Sequence, residues 1–198
     1  MTAQISDKVI YNNDNYVLIG KNASGLFTPY RFGIMPKMLS TACYRGYHCA
    51  YELKDDAMYL QELHIYDPTD QYPTINGVAA EPIVDKVFSF CEDINNPEWK
   101  EVTRRERRYS DLKMPIQCTG KMRIAKDFIQ DLYIHMGFQK ASAFEHVLDI
   151  TLFKGKIANV RDRSAEMKTK RGQFKSAYES GDFRKTVDDA FSLDMDLE

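Results

Sequence analysis

Apolar and polar residues alternate over much of this chain, and the alternation breaks at clusters of Asn, Asp, Gly and Pro. That pattern predicts short strands joined by turns. Lys8 to Tyr11 and Tyr16 to Gly20 are apolar runs around Asn12, Asn13, Asp14 and Asn15. Asn and Asp tolerate left-handed backbone angles, so these runs predict an opening β-hairpin. The longest alternation covers Thr41 to Leu53. Cys43, Arg45, Tyr47, Cys49, Tyr51 and Leu53 fall on one face, and Ala42, Tyr44, Gly46, His48, Ala50 and Glu52 on the other. A strand of that full length is expected, turned at Lys54, Asp55 and Asp56 into a partner over Ala57 to Tyr66. Val147 to Phe153 alternates as cleanly, with Leu148, Ile150 and Leu152 inward and Asp149 and Thr151 outward. Lys154 and Gly155 then turn it into Lys156 to Val160.

The middle of the chain is less regular. Asn22 to Pro36 and Asp67 to Pro82 read as loops, and Val84 to Cys91 as a short apolar run. Glu98 to Tyr109 fits an edge strand or a short helix, and Met114 to Ile124 fits strand, turn at Thr119-Gly120, strand. Over Ala125 to Met136, the residues Phe128, Ile129, Leu132, Tyr133 and Met136 favour a helical stripe, although Leu132, Ile134 and Met136 also alternate. From Ser164 the spacing becomes helical. Ser164 is placed to cap a helix running toward Ser180, Gly181 breaks it, and Asp182 opens a shorter one carrying Phe183, Val187, Ala190 and Phe191. The expected fold is α+β: a β-rich antiparallel sheet or sandwich built from hairpins over residues 1–163, with 164–198 as a helical segment packed on the same domain.

Composition sharpens this picture at four points. The 198 residues include 12 Tyr and 11 Phe, which suit strands and also suit binding surfaces. The net charge of −2 argues against nucleic acid as a partner, although Lys100 to Lys113 and Lys154 to Lys185 are locally basic and the tail from Thr186 is acidic. No apolar run reaches the roughly 18 residues of a membrane span, and Met1 to Asp7 lacks the apolar stretch of a secretion signal. A cytoplasmic location without membrane contact is the expectation. Cys43, Cys49, Cys91 and Cys118 contain no CxxC pair, so they are expected reduced and buried, with neither a disulfide nor a structural metal.

Candidate chemistry is sparse. The motifs HExxH, GxSxG, P-loop and GxGxxG are all absent, and His48, His64, His135 and His146 have no helical metal-site spacing. Alternation puts His48 on the opposite face from Cys43 and Cys49, which argues against a Cys/His catalytic pair. Arg45 stands out, because a guanidinium on a mostly buried strand face needs a carboxylate, carbonyls or a bound anion. With Tyr47, Tyr44 and Arg31 it forms recurring Tyr-Arg pairs of the kind that clamp anions or stack on rings. The expected function is a non-catalytic binding protein of bacterial or phage type, presenting a tyrosine- and arginine-lined surface to a protein or a small anionic ligand, with no cofactor. The alternative is an enzyme acting on a phosphate ester or nucleotide, with His64 or His135 as acid/base and Arg45 as anion clamp.

Overall fold

Asn12 and Asn13 both take left-handed angles (φ 51° and 63°), and this two-residue turn folds Lys8–Tyr11 (β1) onto Asp14–Ser24 (β2). Such turns match the right-handed twist of paired strands. Asp55 and Asp56 (φ 50° and 58°) do the same for Tyr47–Lys54 (β3) and Ala57–Ile65 (β4). A second hairpin pair follows, Glu81–Ser89 (β5) with Glu98–Tyr109 (β6), then the two-residue Met114–Pro115 (β7) and Thr119–Phe128 (β8). Lys154 and Gly155 (φ 48° and 80°) join Phe144–Phe153 (β9) to Lys156–Asp162 (β10), and Ser164–Lys170 forms helix α1. This computed structural model describes residues 2–89, 98–171 and 190–195.

All ten strands belong to one sheet, ordered β10-β9-β8-β2-β1-β3-β4-β6-β5, with β7 added beside β4. Every described strand pair is antiparallel except β1 with β3. The sheet also closes on itself. Lys156 of β10 lies opposite Ala57 of β4, and the Ile157 and Met58 N–H groups donate to the Asp56 and Gly155 carbonyls at 2.8 Å each. The fold is therefore α+β as expected, built as a curled single sheet and not as a sandwich. Inside lie Val9, Leu18, Tyr51, Leu60, Ile124 and Ile150, each almost without solvent exposure, contributed by six different strands. Removing this apolar area from water is the main source of stability. Tyr109 is fully buried and its hydroxyl donates to the Pro73 carbonyl at 2.8 Å, which ties β6 to the loop between β4 and β5. No described helix is long and apolar enough to cross a membrane.

A second, smaller core sits outside the closed sheet. Ile19, Ala125 and Val147 point outward from β2, β8 and β9 and are covered by Met167 of α1 and by the 3-10 turn Ala141–Ala143. Ser164 opens α1, but the capping bond comes from Asp162, whose Oδ1 accepts from the Ser164 N–H at 2.7 Å. The hydroxyl of Ser164 accepts from the Val147 N–H instead, at 3.0 Å. The helices expected over 172–189 lie outside the described residues, as does Cys91. Cys43, Cys49 and Cys118 are free and buried.

Two expectations are corrected. The strand expected from Thr41 begins only at Tyr47. Gly46 has φ 74°, and a Cβ at that position would collide with the Lys37 backbone, so the chain turns there and Thr41 to Gly46 stay out of the sheet. Arg45 is therefore a turn residue and not a mid-strand one. The helix favoured over Ala125 to Met136 is also not formed. That segment continues β8 to Phe128 and ends in the short turn Gln130–Leu132, because Phe128 pairs across the sheet with Phe144, their rings 5.2 Å apart.

Candidate anion-binding cavity

Arg45 is held by the fold at all three of its nitrogens. Its Nη1 donates to Asp7 Oδ2 at 3.1 Å, its Nη2 to Asp7 Oδ1, and its Nε to the Tyr47 carbonyl at 2.7 Å. Asp7 Oδ1 also accepts from the Cys49 N–H at 2.6 Å. Burial alone would lower the basicity of this guanidinium, but the charge and hydrogen bonds of Asp7 outweigh it and hold the basicity above the usual arginine value. The Tyr47 ring lies 4.9 Å from the guanidinium carbon, and its burial pushes the phenol up to about 12.

The other expected site residues scatter. Tyr44 rests its ring on Phe191, 5.4 Å away, and Arg31 is an exposed residue of the 3-10 turn Pro29–Phe32. His135 stands edge-on to Tyr133 at 4.8 Å. His64 stacks on His48 across β3 and β4, ring centroids 4.6 Å apart and planes 16° from parallel. Among the described residues no group of three or more His, Cys, Asp or Glu converges to hold a metal ion.

The histidine stack makes stability depend on pH. Burial, and then the neighbouring His64, pulls His48 down to about 4, and burial lowers His64 as well against the opposing pull of Glu62. Both rings are neutral in the fold, whereas an unfolded histidine takes up a proton near pH 6.5. The stabilisation is thus complete above about pH 6.5 and drains away as the pH falls toward 4. Discounted for partial exposure, its loss is about 1–2 kcal/mol. Denaturant unfolding at pH 7 and pH 4.5 measures it. The difference between the two pH values should shrink in His48→Gln, and an identical pH dependence in both proteins would assign the effect to other groups.

A cavity of about 460 Å³ lies elsewhere, on the outer face of β2, β8 and β9, and none of the six expected residues lines it. Alternation explains how this face is built. Ala125, Arg123 and Lys121 follow one another outward along β8, and Val147, Asp149 and Thr151 along β9. Cross-strand register puts Arg123 beside Asp149 and Lys121 beside Thr151, with Gly20 and Asn22 of β2 on the other flank. The outer face therefore runs from the apolar patch under α1 into a charged row and then a polar one.

The charged row is almost dry. The Arg123 and Asp149 side chains are 6% and 10% exposed, and Arg123 donates to both carboxylate oxygens, from Nε at 2.6 Å and Nη2 at 3.1 Å. Arg163, entering α1, donates a third bond to Asp149 Oδ2 at 3.3 Å and holds Glu166 with its Nη2. Among the described residues the buried Nε of Arg163 has no acceptor. Asn22, Gly120, Lys121, Thr151 and the side chain of Met195 complete the wall. Among the described residues the lining carries three cationic side chains and one carboxylate, with Glu166 bonded to Arg163 behind it. Guanidinium forks match the paired oxygens of carboxylate and phosphate groups, and partial burial strengthens such bonds. The volume falls in the range of roughly 300–1,000 Å³ that takes a small molecule.

Sequence reasoning missed this site although it placed Asp149 outward. A usable signal was present: outward Arg123 and outward Asp149 each sit two residues from an outward apolar residue, Ala125 and Val147, on strands that pair. No known family model, curated protein or solved structure matches the chain. The class that fold and site define is a closed, strand-rich α+β protein with a basic cavity on its outer face.

Proposed function

We propose that this chain is a non-catalytic binding protein whose ligand is a small anion, carrying a carboxylate or phosphate group, seated between Lys121, Arg123 and Arg163. The observation that carries this reading is a cavity of about 460 Å³ whose described lining brings Lys121, Arg123 and Arg163 together. The unmatched Arg163 Nε supports it, since a buried donor without an acceptor costs about 1–3 kcal/mol that a ligand oxygen would recover. Asn22 and Thr151 add uncharged groups able to orient a ligand, and Met195 adds an apolar wall.

Calorimetric titration with inorganic phosphate and with citrate, at low ionic strength, tests the proposal. Saturable binding of either anion is expected. Lys121→Ala and Arg163→Lys should each weaken it about tenfold, equivalent to about 1.4 kcal/mol, by removing a charge in one case and a fork in the other. Absence of saturation with both anions, or unchanged affinity in both variants, would remove the reading.

A further inference from the structure

The outer face that carries the cavity continues past it. Along β9 the residues Val147, Asp149, Thr151 and Phe153 fall on this face in turn, while Leu148, Ile150 and Leu152 turn to the core. Asp149 and Thr151 line the cavity. Phe153 therefore stands roughly 7 Å along the strand from Thr151 and twice that from Asp149. It is 60% exposed, more than any other large apolar side chain among the described residues.

The backbone under this ring is fixed on both sides. Leu152 is buried in the core, and the Lys154 N–H donates to Thr119 Oγ1 at 2.9 Å. An aromatic ring on a rigid base gives up little freedom when a ligand settles on it. Its neighbours are cationic. Lys154 Nζ lies 5.5 Å from the ring centroid, Lys156 pairs with Phe153 from β10, and Lys121 pairs with Thr151 from β8. An exposed ring among lysines on an open sheet face has the chemistry that stacks nucleic-acid bases, because every base has a flat π face and every nucleotide carries a phosphate.

We propose that the anion of this site is a nucleotide, its phosphate held between Lys121 and Arg163 and its base stacked on Phe153. The inference rests on the anion-site reading and names the class of ligand. Along the face the groups come in the order guanidinium, Thr151 hydroxyl and ring, which matches phosphate, sugar and base, and one sugar covers the distance from the cavity to the ring. Inorganic phosphate would fill the cavity and leave the ring unused. The ligand is a free nucleotide and not a strand, since a chain of net charge −2 offers a long polyanion little overall attraction.

The experiment is calorimetric titration of the full chain with adenosine 5′-monophosphate, ribose 5-phosphate and adenosine. The monophosphate should bind about tenfold more tightly than ribose 5-phosphate, the scale of one stacked base, and adenosine should bind more weakly than the monophosphate by at least as much. Phe153→Ala, a change at an exposed position, should bring the monophosphate down to the affinity of ribose 5-phosphate. Phe153→Trp should keep the preference, and its added indole emission should be quenched by the monophosphate and not by ribose 5-phosphate. Lys121→Ala should weaken both phosphates by the same factor. Equal affinity for the two phosphates in the wild type, or a preference for the monophosphate that survives Phe153→Ala, would overturn the nucleotide and leave the anion site standing. Failure of inorganic phosphate and both phosphate esters to bind would overturn the anion site, and the nucleotide with it. An oligoadenylate that binds more than about tenfold tighter than the monophosphate would overturn the free nucleotide in favour of a single strand.

Discussion

Replacing Arg45 by Met is expected to destabilise the protein by about 3–5 kcal/mol, the cost of leaving one member of a buried ion pair alone. The Asp7 side chain is only 5% exposed and, among the described residues, would keep a single donor, the Cys49 N–H, for a full negative charge. In a chain of this length the loss corresponds to a melting temperature lower by roughly 6–20 °C. The partners are not equivalent. Asp7→Ala leaves a guanidinium that is 28% exposed and still bonded to the Tyr47 carbonyl, so water meets part of its need and the cost should be smaller, about 2–3 kcal/mol. The double variant Asp7→Leu with Arg45→Met removes both charges and should lie above Arg45→Met in stability, since apolar replacement of a whole pair is often tolerated. Thermal melts of the three variants check the order. An Arg45→Met protein that melts within about 2 °C of the wild type would show that the pair does not hold the Asp7 segment to β3. Because Arg45 does not line the cavity, the same variant should bind phosphate unchanged.

Arg45 also marks where the sequence can be read and where it cannot. Alternation from Cys43 to Leu53 is continuous, and the faces of Cys49, Tyr51 and Leu53 are as the pattern implies. What ends the strand is Gly46, and a lone glycine in an alternating run does not announce whether it will take a positive φ. The demand for a counter-charge on Arg45 was legible from its residue type. The identity of the partner was not, because Asp7 lies 38 residues away and meets Arg45 only through the parallel pairing of β1 with β3. The hairpins were legible for a local reason. Asn12-Asn13, Asp55-Asp56 and Lys154-Gly155 each fix their own turn from two residues, without help from distant chain. Phe128 shows the opposite case. Its spacing from Leu132 mimics a helix, and only the cross-strand contact with Phe144 makes it a strand residue.

The cavity failed to emerge from the sequence for the same reason as the Asp7–Arg45 pair. Alternation assigns Asp149 to the outer face, and on an outer face a carboxylate is ordinarily in water. Here three chain segments cover that face: α1, the turn over Ala141–Ala143 and Leu193–Met195 over Gly20. A residue read as solvated is thus 8% exposed and serves two arginines. Which face a strand residue takes is a local property, but what lies above that face is a property of the whole fold.

Asp149→Asn should move stability and binding in opposite directions. The amide keeps the shape and one acceptor but no charge, so Arg123 and Arg163 lose the carboxylate they share while Arg163 keeps Glu166, at a cost of about 3 kcal/mol. The same change removes the one carboxylate of the described lining. An anion entering the variant supplies the missing charge, and phosphate affinity should rise about tenfold or more. Ligand binding to the folded state then returns stability, by about 2.7 kcal/mol when phosphate reaches a hundred times its dissociation constant, equivalent to roughly 5–10 °C of melting temperature. Phosphate also stabilises folded proteins generally by exclusion from their surface, but that contribution is common to wild type and variant and cancels in their comparison. The readout is the difference between the two melting curves across a phosphate titration. The variant should start lower, climb faster and approach the wild type. A variant that starts lower and stays lower by a constant margin would mean that Asp149 serves only to hold two arginines in place, and that the cavity does not recruit an anion.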